Sequence, residues 1–344
     1  MVTRVGGECD LVPGDRVCGI VFDCFKSFAR SDAQTLMKIP DELSFIDAAA
    51  LPMTYTTAHH ALVETGRLLK GERILIHAAA GGTGQAAVQM AKNIGAEIFV
   101  TVGSESKRNL LIDLYGITKD HIFYSRNTTF AEGVMRLTQN RGVDVVLNSL
   151  VVEGLSATWE YIASFGRFVE IGKRDMYSHS KLDMYHLAKN ISFSAVDIFR
   201  MSRKRPGLVR KSLSAVMALV AEKKVCASQP LSTHSISQIE DAFRYMQSGK
   251  NVGKIVVDMK KDDQVLVRTP IFPLHVQSIT IHLLSDGSQH AAKLLFRTKS
   301  NLRARWRLWG ACPAHSSVDG QPRSKKSHSA FSVQPSHRCC CPST

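Results

Sequence analysis

Between about Asp15 and Met259 the chain alternates short apolar runs with stretches whose apolar positions recur every three or four residues. The runs at 73–77, 98–102, 144–147, 167–171 and 191–196 predict strands. Two of them, Ile74-Leu75-Ile76 and Val145-Val146-Leu147, have no polar alternation, which a strand covered on both faces does not need. The stretches at 85–94, 107–115, 130–140 and 155–164 predict helices. In the first, Ala87, Ala91 and Ile94 fall on one helical face. Strand–helix alternation of this kind predicts an α/β fold, a doubly wound parallel sheet of Rossmann type.

The flanks break the alternation. Gly14-Asp15 turns into a strand over 16–22, and Pro40-Asp41 opens a further segment. A long helix at 208–223 is followed by a short one at 237–247 and a strand at 254–259. These pieces predict a second, smaller β-rich unit. Past about Lys261 no period is sustained, and patches such as Arg303–Arg307 and Cys339–Cys341 carry little information, so disorder is expected there.

Charge follows the same division. Lys and Arg exceed Asp and Glu by 14 over 344 residues, yet residues 271–344 hold ten of the cations against only Asp286 and Asp319. The basic excess is therefore mainly a property of the tail. Its one basic–aromatic cluster, Arg303, Arg305 and Arg307 with Trp306 and Trp309, is more simply a solvated tail than a nucleic-acid site. Cys9, Cys18, Cys24 and Cys226 are scattered among apolar residues and read as buried free thiols. No CxxC pair is present, so no structural metal site is expected. Without an apolar run of membrane length or a secretory leader at Met1–Asp10, the cytoplasm is the default compartment.

The segment Ile76-His77-Ala78-Ala79-Ala80-Gly81-Gly82-Thr83-Gly84-Gln85 carries the chemistry. A strand ends, small residues turn the chain, and a helix begins. Such a turn lets a pyrophosphate approach bare backbone and meet the positive end of the helix. Ala79 takes the first place of a GxGxxG register and Gly81 and Gly84 the others, so Ala79, Gly81, Gly82, Thr83 and Gly84 are candidate cofactor ligands. About 20 residues on, an NAD site presents an acid to the ribose. Here that place reads Gly103-Ser104-Glu105-Ser106-Lys107-Arg108. Ser104 can donate to a 2′-phosphate and Lys107 and Arg108 can neutralise it, which favours NADPH; Glu105 argues the other way. His77 reads as structural, and at least one of His59 and His60 as a core histidine.

With these residues in view the chain resembles the enoyl reductase domain of fungal highly reducing polyketide synthases and of animal fatty acid synthase, zinc-free medium-chain dehydrogenase/reductases. The matching segments are Asp47 to Pro52 with Thr57-Ala58, His77 to Gln85, Thr101 to Ser104 with Lys107-Arg108, Gly142 to Leu150, Gly166 to Lys173, and Asp241 to Met246 with Gly253-Lys254. The resemblance implies hydride transfer from NADPH to the β-carbon of an α,β-unsaturated acyl thioester borne by an acyl carrier protein, with a second copy of the chain as a candidate partner. It implies Lys173 and Asp197 as the proton-transfer or orienting pair. Mutual pairing alone is an equal reading of the two. Asn148 and Ser149, at a strand end, can line the nicotinamide pocket or cap the next helix.

The resemblance also implies a GroES-like substrate domain, of which only part is expected: 1–47, returning over 225–260 around a Rossmann domain at 48–224, with 261–344 as a basic tail. The family's Asn-Phe-x-Asp loop has no counterpart, so the chain reads as N-terminally truncated and its tail as a departure from the family through a shifted frame or a retained intron. An inactive fragment, a free-standing quinone or enone reductase, and a non-enzymatic fragment with a nucleic-acid-binding tail are the competing functions.

Overall fold

The computed structural model describes residues 1–259 and 263, and the backbone of 276–281 and 294–298. The chain opens with two short strands, β1 (Val17–Gly19) and β2 (Leu36–Lys38), paired antiparallel. Arg16 latches this ribbon to the segment that leaves β2, donating to the carbonyls of Pro40 (2.9 Å), Asp41 (2.7 Å) and Leu43 (2.6 Å). Ser44 then accepts from the Asp47 amide and starts α1 (Phe45–Ala50). Pro52, placed where a helix needs no amide donor, starts α2 (Pro52–His59), which continues into a π-type turn at His60–Thr65.

The central sheet comes next. Its strands are β3 (Arg73–Ile76), β4 (Glu97–Val102), β5 (Ile122–Tyr124), β6 (Val143–Asn148), β7 (Ile162–Glu170) and β8 (Ser192–Ala195). All are parallel, in the order β5-β4-β3-β6-β7-β8. Between them lie α3 (Gly82–Ile94), α4 (Glu105–Tyr115), α5 (Thr129–Leu137), α6 (Glu153–Glu160) and the single turn α7 (Arg174–Tyr177). The unbroken apolar runs have the burial expected of them. Ile74 and Ile76 pack with Val100, Val145, Leu147 and the α2–α3 side, whereas Leu75 packs with Phe99, Val146, Phe168, Phe130 and Trp159 on the other. Alternate residues thus enter two separate cores, the period-two rule acting on a sheet without a wet face.

After β8 come α8 (Ile198–Lys204) and α9 (Pro206–Ala221), whose Val209, Leu213 and Val216 join the first core. The chain returns through β9 (Leu231–Ser235), α10 (Ile239–Gln247) and β10 (Lys254–Asp258), with β9 and β10 paired in parallel. A buried polar network stitches this return to α3. Gln89 donates to the Tyr55 hydroxyl (2.6 Å) and the Cys226 carbonyl (3.1 Å), and accepts from the Cys226 amide (2.9 Å). One turn earlier, Gln85 donates to the carbonyls of Ala80 (2.9 Å) and Gln229 (2.6 Å), and accepts from Gln229 N (2.9 Å) and the Tyr115 hydroxyl (2.7 Å). Buried amide side chains with every group engaged cost little and fix a unique arrangement.

Several expectations need correction. The helix expected over 155–164 ends at Glu160, and Ile162 already pairs with Val143 in β7. A register irregularity comes next, with Phe165 in the left-handed region, and it hides the strand's beginning from a periodicity argument. Periodicity does not anticipate β5, β2 and β9; with three to five residues each, they are too short to show a period. Of the four described cysteines only Cys18 is buried, while Cys9, Cys24 and Cys226 are exposed. The expectation of disorder past Lys261 falls mostly outside the described residues. Within it, the backbone of Val276–Ile281 and Leu294–Thr298 forms an antiparallel pair that the absent periodicity does not suggest.

Gly84 is the tightest point of the strand–helix junction. A Cβ there would overlap the Ala78 carbonyl oxygen and lie 2.5 Å from the Ala79 Cα, both of them backbone with no freedom to move aside. Gly84→Ala is expected to cost about 1–3 kcal/mol, seen as a fall of several degrees in the thermal unfolding midpoint. Gly7→Ala, with nothing within 4 Å of the added methyl, leaves the midpoint in place. Equal midpoints for the two variants would show that the junction is not strained by a side chain.

Candidate active site

The sheet order reverses direction between β3 and β6, and open α/β sheets bind ligands beyond the carboxyl ends of their strands at that point. The loops after β3, β4, β6, β7 and β8 all emerge at this edge. Those after β3, β7 and β8 are pinned there by backbone hydrogen bonds that extend the strand ladder. His77 N donates to Leu147 O (3.1 Å), Ala79 N to Thr101 O (3.0 Å), Ile171 N to Asn148 O (3.0 Å) and Val196 N to Glu170 O (2.9 Å).

The glycine turn succeeds β3. Ala78 takes a left-handed backbone conformation, and Ala79 and Ala80 are buried. Gly81 stands at the helix cap in an extended conformation, and no side chain caps α3. The first amides of the helix, including those of Gly82 and Thr83, therefore have no intrahelical acceptor and no side-chain one. Gly82 keeps the spot open: a Cβ there would stand 3.1 Å from the Thr54 Cγ2 and 3.3 Å from the Cδ of Lys254. Gly253 N donates to Ala80 O (3.0 Å), which brings the start of β10 against the turn and lays the Lys254 stem beside Gly82. Burial lowers the Lys254 pKa from its ordinary value. This cradle fits a nucleotide pyrophosphate.

His77, just before the turn, is 3% exposed, and its two ring nitrogens are hydrogen-bonded with the hydroxyls of Thr101 (2.9 Å) and Thr158 (2.9 Å). Burial pushes its pKa down to about 3, so the ring is neutral and serves as a strut between β4 and α6. His60 is likewise satisfied, by Ser212 (3.3 Å), whereas the buried Nδ1 of His59 has no partner.

After β4, Ser104 caps α4 by accepting from Lys107 N (3.4 Å). Lys107 Nζ donates to Gly249 O (3.2 Å), and its pKa is lowered, first by burial and then by the charge of Arg126. Arg108 points elsewhere: it donates to Lys119 O (3.1 Å) and lies 3.9 Å from Glu105. Glu105 in turn accepts from the Tyr124 hydroxyl, which turns it toward β5.

On the other side of the edge, Lys173 Nζ and Asp197 Oδ1 form an ion pair at 3.0 Å, neither side chain more than 27% exposed. Asp197 also caps α8 by accepting from Arg200 N (3.0 Å). Lys173 lies 5.9 Å from the centre of the Phe199 ring, which meets Phe22 edge-on at 4.8 Å. Phe22 also lines a cleft of about 390 Å³ with Arg30, Asp32 and Ser202. Asn148 is fully buried; its amide donates to Leu150 O (2.9 Å) and to Glu170 (2.5 Å) and accepts from Leu150 N (3.2 Å). Ser149 is half-buried and neighbours Gly172.

Glu170 is not among the residues that the sequence singles out, although it lies within the segment Gly166 to Lys173. Its carboxylate accepts from Asn148 Nδ2 and from Gly172 N (2.6 Å), and its carbonyl holds Val196 N. It thus fixes the residue before Lys173 and the residue before Asp197. The signal that could reveal it is an acid inside an otherwise apolar strand. The ring of Phe199 and the charge of Arg126 also escape sequence reasoning, because they come from elements distant in sequence.

Among the described residues no group of three or more His, Cys, Asp or Glu side chains is placed to hold a metal ion. No helix among them is long and apolar enough to cross a membrane.

A family model described as zinc-binding dehydrogenase matches residues 118–257; the donor groups at this sheet edge do not fit a zinc site. Lovastatin diketide synthase lovF of Aspergillus terreus is 44% identical over 277 residues, covering 80% of this chain and 11% of the synthase. Highly reducing polyketide synthase 40 of Fusarium mangiferae is 45% identical over 289 residues, covering 83% and 12%. The chain thus spans about a ninth of the length of these curated relatives. Among solved structures, the CurK enoyl reductase is 39% identical with a TM-score of 0.60 over 67% of each chain. The CurF ER cyclopropanase of the curacin A pathway is 33% identical with the same TM-score over 66% of each.

Burial pushes the Glu170 carboxyl up to about 8, against the pull of its two hydrogen-bond donors. The unfolded carboxyl releases its proton near 4.5, whereas the folded one retains it to about 8. Stability held below pH 4.5 is therefore lost as pH rises toward 8, by a few kcal/mol on the order-of-magnitude linkage rule, about 1.4 kcal/mol per unit. Glu170→Gln removes this proton uptake. Its unfolding free energy relative to the native chain should move in the variant's favour from pH 5 to pH 8, read by denaturant melts at each pH. A constant difference across that range would show that Glu170 is ionised in the folded protein.

Proposed function

The chain belongs to the enoyl reductases of polyketide synthases, oxidoreductases of the Rossmann class that use a nicotinamide cofactor, and from that membership we propose that it binds NADPH and reduces an α,β-unsaturated acyl thioester carried on an acyl carrier protein. The observation that carries the proposal is the Lys173–Asp197 pair at 3.0 Å, held at the same sheet edge as an uncapped glycine turn. A nicotinamide bound there supplies the hydride that reaches the β-carbon, and a proton adds to the α-carbon.

The chain's own residues have separable tasks in this reading. The turn Ala79, Gly81, Gly82, Thr83 and Gly84 offers amides to the pyrophosphate, with the Lys254 stem alongside Gly82. Ser104 and Lys107, with Arg108 behind them, face the adenosine side. Asn148 and Ser149 form the floor near the nicotinamide, Asn148 by holding the backbone of the β6 loop in shape. Lys173 donates the proton to the α-carbon, or a hydrogen bond to the thioester oxygen as negative charge develops on that oxygen. Asp197 keeps that ammonium charged and aimed. Phe199 and Phe22 give the acyl chain an apolar wall. Residues 48–224 then form the cofactor domain and 1–47 with 225–260 the substrate side. Both work in the cytoplasm. Among the described residues β8 ends the sheet with an unpaired edge and a Phe193 that is 39% exposed, a surface that suits a second copy of this chain.

Four measurements test the reading. Titrating NADPH into the protein should change its fluorescence with saturation below high micromolar cofactor. NADPH should be oxidised with a crotonyl thioester and not with a quinone; the reverse preference would favour a free-standing quinone reductase. Lys173→Ala should lower turnover about a hundredfold, in the range typical of a lost proton donor, without changing the NADPH dissociation constant. Unimpaired turnover in that variant would remove Lys173 from the chemistry. Sedimentation at micromolar concentration should give twice the mass of the chain, and a monomer mass would retire the edge-to-edge partner.

A further inference from the structure

The stretch 198–221, which spans α8 and α9, holds six cations and no Asp or Glu. Two of the six are paired with acids from other elements, Arg210 with Asp10 and Lys211 with Glu64 (2.9 Å). The other four, Arg200, Arg203, Lys204 and Arg205, are exposed, and none of them forms an ion pair among the described residues. Arg200 and Lys204 are one turn apart and share a face of α8. The negative end of the helix favours cations in its last turn, which accounts for Arg203 and Lys204. Arg200, in the first turn, sits where that field is unfavourable. The same short helix adjoins the ion pair. Asp197 caps it, and the ring of Phe199 lies 5.9 Å from Lys173 Nζ and 6.0 Å from the Arg203 guanidinium, which also lies 5.0 Å from the Phe22 ring. Across the cleft that Phe22 and Ser202 line stands a further exposed cation, Arg30. Asp32 is the acid of that cleft, and its carboxylate accepts from Gln34 N (2.9 Å).

We propose that the exposed face of α8, with Arg30 across the cleft, is the surface on which an acidic face of the acyl carrier protein docks while it presents its thioester to Lys173. The proposal rests on the reading of the chain as a reductase of carrier-bound thioesters and specifies where that partner sits. Charge complementarity is the first argument. Four cations on one short helix without counter-ions of their own repel each other, and an acidic surface laid against them relieves that repulsion. Position is the second. Lys204 is seven residues beyond Asp197, about 10 Å along the helix, so a partner held here has its attached arm at the side of the ion pair. The order of the groups is the third. Exposed cations, the aromatic pair of Phe22 and Phe199 (4.8 Å) and the Lys173 ammonium follow one another through direct ring contacts. An acidic carrier, an apolar acyl chain and a reacting thioester would meet them in that same order. Exposed charges of this kind act mostly by steering the encounter, so the contact should be sensitive to salt.

The test uses the full chain and an isolated acyl carrier domain bearing a crotonyl-pantetheine arm. Carrier dissociation constants are measured at low and at physiological salt for the native chain and two variants. One is Arg200→Glu with Lys204→Glu. The other is Arg136→Glu, on α5, whose Phe130 and Val134 pack in the core on the opposite face of the sheet from Ile198 of α8. The double variant should weaken the carrier about tenfold at low salt and lose most of the salt dependence. Arg136→Glu should bind the carrier as the native chain does. Binding of NADPH and of free crotonyl-pantetheine should be the same in all three, which also shows that the double variant is folded. Equal carrier affinity in the native chain and the double variant overturns the docking surface and leaves the reductase reading standing. So does a chain that oxidises NADPH with the free thioester but does not bind the carrier. A mixed-sequence oligonucleotide that binds the native chain more tightly than the carrier does, with the same loss in the double variant, assigns the face to nucleic acid and overturns the proposal. A native chain that binds neither NADPH nor the free thioester overturns the reading beneath it as well.

Discussion

Where Gly84 passes the end of β3, helix backbone and turn backbone touch without room for a methyl group. Much of the architecture around the site depends on that approach. It sets the angle at which α3 leaves the sheet, and so the direction in which the helix's first amides point. It also brings Gln85, the next residue, within reach of both Ala80 and the Gln229 backbone. The returning segment is thereby attached to the glycine turn itself, not to the body of the sheet. Gly253 completes this contact from the other side. Its backbone is left-handed and a Cβ would overlap Pro230 O, so β10 can start against the turn only with glycine there.

A second constraint governs the opposite side of the edge. Burying a carboxyl in a strand is costly unless donors meet it. Glu170 meets two, from different elements: Asn148 at the end of β6 and Gly172 after β7. Through its carbonyl it also holds Val196, next to Asp197. The ion pair of Lys173 and Asp197 is thus framed from beneath by one residue, and each partner needs only to choose a rotamer. Asn148 consequently acts on the site through the backbone it holds, since all of its polar groups are already engaged inside the protein.

The parts of this arrangement that are legible in the sequence are those written in local signals. Ile74-Leu75-Ile76 and Val145-Val146-Leu147 announce strands covered on both faces, and the glycines of 81–84 announce the turn, because each is a property of consecutive residues. β5 is unreadable for the opposite reason: three residues carry no period, and its place depends on pairing with β4. Lys173 and Asp197 can be named through resemblance alone, since twenty-four positions separate them in the chain and only the adjacency of β7 and β8 joins them. The helix predicted across 155–164 ends at Glu160 because β7 begins at Ile162, a beginning hidden from periodicity by the register irregularity and the left-handed Phe165. The pairing of Gln85 and Gln89 with a distant return segment leaves no trace in either stretch taken alone.

The site loops share a feature that bears on how rigid such a site can be. Beyond the ends of β3, β5, β7 and β8 the ladder of backbone hydrogen bonds runs on: His77 to Leu147, Ala79 to Thr101, Ser125 to Val102, Ile171 to Asn148 and Val196 to Glu170. The loops are therefore positioned by main chain, which frees their side chains for a ligand. A loop held this way loses less entropy on binding than one that must order itself around the nucleotide. It also places groups of opposite task, amides and cations for phosphate at one end and an ammonium–carboxylate pair at the other, on one stiff frame. Their spacing is then a property of strand order. In the function proposed, β3 and β4 carry the phosphate side and β7 and β8 the proton side, and β6 lies between them with Asn148 at its end. Any substitution that shifts β6 along its neighbours would disturb both ends together, whereas changes in the loops alone would act on one.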